Sequence, residues 1–590
     1  MASGLSFVPS SRRVNTSLTQ RSRRAVILMI LGTLLVGGCG LRLVQLQLIQ
    51  GQELKQRADQ NRIALIPIPA DRGNILDRKG RLLASNRLAR SIYLHPREES
   101  KAEWAKIVPR LATILKIPPA EILAKLEQAG YRSAMPVRIS RNLPLQSFIA
   151  LAEEAHRFPG MEIRGESHRF YPNGDLAAHV LGYISEATVT DLKANPAYPM
   201  GMLVGQMGVE RLANSTLEGR WGSQVVEVNA AGQEINHLGN KPAIAGEPLR
   251  LTLDLDLQKT AERYLANRRG AVVVLDVKTG GVLALASGPT FDPNLFTRQV
   301  TKAEWDRLQT AENPFLNRAL QGYPPGSTFK VVTAAAGMQS GTFAPDSTLM
   351  TYAAINLGGH LFHEHGSGYG VLGFRDALMV SSNTFFYQVG LRTGPEAIAK
   401  WGKQLGIGEI TQLGLDGESH GMIPIPAEKE KKFGEPWYGG DTVSMSIGQG
   451  LVQTTPVELA VVYAAIANGG YRVKPHLFAA MDNDRAYRPQ KIGLQPGTLQ
   501  VIQQGLKAVV QNGTARQLSQ GTIPPTAGKT GTAEVLGQRD NAVFAGYGPA
   551  ANPQIAIAVV VENGGFGAES AVPIAHEVYK TYFKRGKQRR

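Results

Sequence analysis

Cysteine is all but missing from this chain: Cys39 is the only one among 590 residues. A single thiol excludes an intramolecular disulfide and any cysteine-rich zinc module, and it makes redox chemistry an unattractive function. Aromatic residues are scarce at 7% and charged residues modest at 19%. Hydrophobic residues reach 43%, with 64 Gly and 34 Pro. That balance excludes a disordered or collagen-like chain and describes a folded, turn-rich protein. Its length exceeds one ordinary core, so two or three domains are expected. No internal repeat at a fixed period is present.

Acidic residues are absent from both ends. The first 24 residues hold five Arg and no acid, and residues 580–590 hold six basic residues and no acid. Once these ends are set aside, the net charge of +16 falls to +5, an ordinary surface for the rest. Zinc-finger spacing and an aromatic-plus-basic RNA signature are also lacking, which leaves nucleic acid a poor candidate partner.

Long hydrophobic runs are missing too, with one exception. Ala25 to Leu41 reads AVILMILGTLLVGGCGL, free of charge and preceded by Arg21, Arg23 and Arg24. With Arg42, Leu43 and Val44 it would span about 30 Å, one bilayer crossing. Positive charge on the amino side keeps that end in the cytoplasm and exports the remainder. A cleaved signal peptide is the alternative, and Val36 to Cys39 loosely resembles a lipoprotein box. Apolar residues nevertheless continue past Cys39 through Leu48, which favours an uncleaved anchor with an amphipathic exit.

The domain expectations follow in order: a basic cytoplasmic tail at 1–24, an anchor at 25–45, a non-catalytic pedestal at 60–247, a catalytic domain at 248–583 and a basic tail at 584–590. RIALIPIPADRGNILDRKG reads as an extended run followed by turns, and 101–155 reads as helical from the spacing in WAKIVPRLATIL and EILAKLEQ. LRLTLDLDLQKTAERYL reads as an alternating strand entering a helix. RGAVVVLDVKTGGVLALAS reads as a hairpin turning at Thr279 to Gly281.

Chemistry concentrates in YPPGSTFKVVTAAAGM, where Ser327 and Lys330 stand three residues apart as a turn enters an apolar helix. That spacing puts both on one face, with the amine able to reach the hydroxyl. A serine is a weak nucleophile until a neighbouring base takes its proton, and a desolvated lysine has its pKa lowered enough to do so. The bland reading is a capping serine beside a solvated lysine. Two further motifs weigh against it: Ser381, Ser382 and Asn383 in MVSSNTFF, then Lys529, Thr530, Gly531 and Thr532 in AGKTGTAEV. Ser-x-x-Lys, Ser-x-Asn and Lys-Thr-Gly in that order form the set of penicillin-binding proteins and serine β-lactamases. Lys278, Thr279 and Gly280 also spell Lys-Thr-Gly, but they precede the nucleophile at a hairpin turn and read as a surface decoy.

The sequence resembles the class B penicillin-binding proteins, membrane-anchored peptidoglycan transpeptidases. The resemblance rests on the anchor, on RGNILDRKG, AAHVLGY and GVERLANSTLEG, and on the three catalytic motifs. PWYGGDTVSMSIGQGLVQTTPVELA is similar to the elongation-type members, usually called penicillin-binding protein 2. The resemblance implies an α+β protein: an N-terminal transmembrane helix, an α/β pedestal, and a transpeptidase domain with an antiparallel sheet flanked by helices and an all-helical subdomain. It implies Ser327 as acylated nucleophile and Lys330 as its base. Ser381 would relay a proton to the leaving amine, and Asn383 would hold the substrate amide and Lys330. Lys529, Thr530 and Thr532 would bind the terminal carboxylate, with Gly531 between them. The backbone N–H groups of Ser327 and Thr532 would form the oxyanion hole.

No cofactor is expected. His360, His363 and His365 with Glu364 offer a metal set of low standing, since the loop is Gly-rich and the middle residue of Ser-x-Asn is Ser382 rather than a thiol. The substrates implied are D-alanyl-D-alanine stem peptides of peptidoglycan, with β-lactams as inhibitors. A hydrolytic β-lactamase or D,D-carboxypeptidase is the second reading, but no Glu-x-x-x-Asn follows Ser381 before Lys529. A division-type transpeptidase and a non-enzymatic β-lactam receptor are further alternatives. The pedestal carries no glycosyltransferase motif, so strand polymerisation is expected of a SEDS-family glycosyltransferase partner, alongside other elongation proteins. The chain is expected in the bacterial inner membrane, single-pass, with its catalytic domain outside the cytoplasm.

Overall fold

A computed structural model describes residues 17–52, 62–133, 135–199, 201–229, 234–266, 268–298, 300–310 and 312–584. Most of the expected basic tails, 1–16 and 585–590, lie outside the described residues. The chain forms two units, residues 1–68 with 222–242 and residues 69–221 with 243–590.

In the first unit, the apolar run lies within a helix, Ser17–Val44, that continues as a π-helical turn over Gln45–Ile49. Arg23–Ile49 is the one described helix long and apolar enough to cross a membrane. Thr33, polar within this stretch, donates its hydroxyl to Met29 O at 2.8 Å, so that hydroxyl is not left bare. Ile63–Ile68 forms a strand, as its extended run suggested, and pairs antiparallel with Gly222–Val228, which pairs in turn with Glu234–Lys241.

In the second unit, the pedestal is organised by a long strand, Leu82–Leu94, antiparallel to both Met161–Phe170 and Val137–Ser140. Three helices, Lys101–Leu115, Pro119–Ala129 and Leu145–Glu153, bury Trp104, Val108, Leu111, Ile122, Leu126 and Leu151 with Ile92 and Leu94 of the strand. The helical expectation for 101–155 therefore fails at 137–140. After Pro136 the short run VRIS adds to the sheet edge and buries Ile139, a tertiary pairing that helical spacing cannot reveal.

The RGN, RFY and GVE segments meet at one buried carboxylate. Glu210 accepts from Arg72 Nε at 2.6 Å, Arg169 Nε at 2.6 Å and the Tyr171 hydroxyl at 3.1 Å. Burial raises its pKa, but the two guanidiniums outweigh burial and hold it below the usual carboxylate range.

The strand expected in LRLTLDLDL shrinks to Leu249–Arg250. Asp254 ends it by capping helix α1 (Leu255–Leu265), its carboxylate accepting from the N–H groups of Asp256 and Leu257. The catalytic domain is built on five strands: β1 (Gly270–Asp276), β2 (Val282–Gly288), β3 (Ala527–Ala533), β4 (Asn541–Gly548) and β5 (Ile555–Val561). Their order is β2-β1-β5-β4-β3, antiparallel throughout. The central strands are buried on both faces, which explains runs such as AVVVLD and IAIAVVV. One face packs Val272, Val274, Ile557 and Val559 against α1 and the C-terminal helix Gly567–Lys584. The other packs Ala271, Val273, Ala558 and Val560 with residues of the wholly buried helix Pro456–Ala467 and with Phe329 and Val331 beside the nucleophile turn. The expected hairpin is present as β1 and β2. Asp276 accepts from the N–H groups of Lys278 and Thr279, fixing the decoy Lys-Thr-Gly as a turn in which Lys278 is exposed and Gly280 buried.

Candidate active site

Ser327 sits on a 3-10 turn, Gly326–Phe329, that runs directly into helix α2 (Lys330–Gln339). It is half-buried, whereas Gly326, Thr328, Phe329 and Lys330 around it are buried. Tyr463 from the buried helix donates to Thr328 O at 3.0 Å and braces the turn from beneath. The Gly326 N–H donates to Gly448 O at 2.9 Å and the Thr328 N–H to Pro325 O at 3.4 Å, which fixes the backbone on both sides of Ser327.

β3, which carries Lys529 to Thr532, is the edge strand of the sheet, and the nucleophile turn lies against it. Two glycines permit the approach. Gly326 has φ +54°, and a Cβ there would fall 2.5 Å from Thr532 O and 3.3 Å from Thr532 N. A Cβ on Gly531 would fall 2.7 Å from Pro325 O. The Thr532 backbone therefore adjoins the Ser327 turn, and the Gly of Lys-Thr-Gly is a steric requirement.

Ser381 ends the helix Phe374–Val380 in the left-handed region at φ 62°, and Ser382 caps helix α3 (Asn383–Thr393) by accepting from Phe385 N. This turn gathers both lysines. Lys330 Nζ donates to Ser381 O and Asn383 Oδ1, each at 2.7 Å, and lies 3.3 Å from Ser381 Oγ. Lys529 Nζ donates to Ser381 Oγ at 2.9 Å and to Thr530 O at 3.0 Å. Both lysines are completely buried. Burial lowers the pKa of Lys529 to about 7. It lowers that of Lys330 well below the usual lysine value, the nearby charge of Lys529 adding to the effect and that of Glu364 opposing it.

Two acceptors at 2.7 Å fix the Lys330 amine, with the Ser381 hydroxyl as a third, longer contact. Ser381 Oγ accepts from Lys529 Nζ at 2.9 Å and from Lys330 Nζ at 3.3 Å. Lys529, Ser381 and Lys330 thus form a continuous hydrogen-bonded chain.

The remaining expected residues divide. Thr530 shares a hydrogen bond with Thr514, a residue absent from the sequence reading because it lies beyond the Pro496–Gln511 helix in no recognised motif. Gln449 donates to Thr532 O at 3.3 Å. His360 and His363 lie on a strand, His360–His363, paired with Ala354–Leu357. Among the described residues, no three His, Cys, Asp or Glu side chains are placed to hold a metal. Glu364, offered as their co-ligand, points instead at the Ser-Ser-Asn turn, accepting from the Asn383 N–H at 2.7 Å.

Residues 270–580 match the penicillin binding protein transpeptidase domain, and residues 67–251 match the penicillin-binding protein dimerisation domain. The chain belongs to the penicillin-binding protein transpeptidases. It is 33% identical to the peptidoglycan D,D-transpeptidase MrdA of Escherichia coli strain K12, with 92% of each chain covered. It is 34% identical to MrdA of Acinetobacter baumannii, over 91% of this chain and 84% of that one. Among solved structures, it is similar to penicillin-binding protein 2 of Helicobacter pylori in complex with MreC, with a TM-score of 0.79 and 28% identity over 89% of this chain and 99% of that one. A chain of a peptidoglycan synthase complex matches with a TM-score of 0.71 and 32% identity, over 95% of this chain and 98% of that one. The chain is accordingly a peptidoglycan D,D-transpeptidase of the elongation type, cross-linking through a serine acyl-enzyme.

Proposed function

We propose that Ser327 carries the acyl group and that Lys330, Ser381, Asn383 and Lys529 act around it as follows. Neutral Lys330 takes the Ser327 proton, and Oγ attacks the carbonyl carbon of the penultimate D-alanine. The resulting oxyanion is held by the N–H groups of Ser327 and Thr532, each such donor commonly worth about 3 kcal/mol. When the C–N bond breaks, the terminal D-alanine leaves with a proton passed from Lys330 through Ser381. An acceptor amine then attacks the ester, its proton returns to Lys330, and the peptide bond forms as Ser327 Oγ–H is restored. Asn383 orients the substrate amide. Lys529, with Thr530 and Thr532, meets the donor carboxylate.

The observation that carries this reading is the meeting of both buried lysines on Ser381. Labelled penicillin on the full chain tests it. Ser327→Ala should abolish labelling while the protein still melts cooperatively, and persistent labelling of the folded variant would sink the mechanism. β-Lactams are covered by the same reading, since a strained amide resembling D-alanyl-D-alanine would acylate the same oxygen.

The domains are assigned to this work as an anchor at 25–45, a pedestal at 60–247 and a transpeptidase domain at 248–583, with basic tails at 1–24 and 584–590. Arg23 and Arg24 at the start of the apolar helix support a cytoplasmic amino terminus, with the catalytic domain outside the inner membrane. A periplasmic reporter fused after residue 60 should be active, and activity of a cytoplasmic reporter there would reverse the topology. The partners proposed are a SEDS-family glycosyltransferase bound through anchor and pedestal, and elongation proteins such as MreC. Co-purification with and without an unrelated anchor helix checks the first of these.

A further inference from the structure

One carboxylate collects five donors, four of them from Ser382, Asn383 and Thr384. Glu364 Oε1 accepts from the N–H of Asn383 at 2.7 Å and of His365 at 2.9 Å. Its Oε2 accepts from the N–H of Thr384 at 3.0 Å, the Thr384 hydroxyl at 2.8 Å and the Ser382 hydroxyl. The residue is only 8% exposed. Five donors saturate the lone pairs of an ionised carboxylate, so this group is fully engaged by the protein itself. Asn383 and Thr384 open helix α3, whose first N–H groups need acceptors and whose positive end favours an anion.

Fixing 382–384 fixes what lies on either side. Ser381 is held at φ 62°, ψ 36°, a conformation an isolated serine disfavours. Its carbonyl and the Asn383 side chain are the two 2.7 Å acceptors of Lys330. Glu364 therefore grips the middle of a turn whose two ends grip the general base. The groups facing Glu364 include Lys330 from α2, His365 from its own loop, and Tyr369 and Tyr387.

We propose that Glu364 is a positioning residue for transpeptidation, a buried anion that locks the Ser381 to Asn383 turn so that Lys330 is held by both of its acceptors. The proposal rests on the catalytic roles given above. It assigns Glu364 no contact with substrate. Its effect falls on the acylation step and not on the capture of the ligand.

The test uses the full chain in detergent with a fluorescent penicillin, separating the acylation rate constant from the dissociation constant of the pre-covalent complex by saturation kinetics. Glu364→Gln keeps the shape but turns an NH2 toward existing donors. The acylation constant should fall about 10- to 100-fold, as for loss of hydrogen bonds to a charged group, with the dissociation constant within about threefold of the parent. Glu364→Asp should recover much of the loss, because the charge returns. An unchanged acylation constant in folded Glu364→Gln, or a loss confined to the dissociation constant, overturns the assignment. If Glu364→Gln does not fold, Glu364→Asp decides: it must show the same one-sided loss at smaller size, and no loss or an equal loss in both constants overturns the proposal. Ser327→Ala, run alongside, separates the two ideas. Its continued labelling would refute the catalytic roles, whereas its silence with a parental Glu364→Gln would refute Glu364 alone.

Discussion

Lys529 Nζ donates to the hydroxyl of Ser381 across 2.9 Å, though the two residues lie 148 positions apart in the chain. The contact joins the edge strand of the sheet to the turn that opens α3, and it makes the pH behaviour of the site a property of two elements at once.

Stability should carry the signature of that burial. Lys529 has its folded pKa lowered from 10.5 to about 7 by desolvation, so between these values the unfolded chain binds the extra proton. Folding stability must then rise with pH from about 7 to about 10 and be flat for this group below 7. The buried Lys330 shifts in the same direction. Comparing melting temperatures of the parent and Lys529→Met over pH 6 to 10 checks this. The difference, methionine minus parent, should shrink as pH rises, and parallel curves would refute it.

The two Lys-Thr-Gly sequences should separate cleanly. Lys529→Ala should cut penicillin acylation at least tenfold by removing the cation and its bond to Ser381. Lys278→Ala changes an exposed side chain on a turn and should leave acylation within twofold. The reverse result would mean that the wrong motif has been assigned.

Thr514 should matter without touching the nucleophile. Its hydroxyl is the partner of Thr530, so Thr514→Val leaves the Thr530 hydroxyl free to turn away from a substrate carboxylate. A loss of about 1 kcal/mol, roughly fivefold in acylation efficiency, is expected. Thr514→Ser should restore it, and equal defects in the two variants would point to packing instead.

In the pedestal, Glu210→Gln should be costly. It strips the counter-charge from Arg72 and Arg169, both buried. Breaking such a pair by removing one partner typically costs about 3–5 kcal/mol. A melting temperature within a degree of the parent would show that the guanidiniums find other partners.

The sequence by itself determined whatever is local. The charge-free run after Arg24 specifies its own helix, because a membrane-length stretch needs no outside partner for its backbone. Ser327 and Lys330 share a helix start, Asp276 writes its own turn around Lys278, and the continuous apolar runs place β1 and β2. The pairings between distant segments were decided only by the tertiary structure. Val137–Ser140 became a strand because an edge was waiting for it, and Ile63–Ile68 joined Gly222–Val228, a segment far along the chain. Thr514 and the true use of Glu364 were illegible for the same reason. Neither belongs to a spaced motif, and each acquires its role from what folding places opposite it: the Thr530 hydroxyl in one case, the open N–H groups of α3 in the other. Hydrogen bonds of this kind follow from sheet order and helix placement, which are set by the burial of the whole core and not by any one stretch of residues.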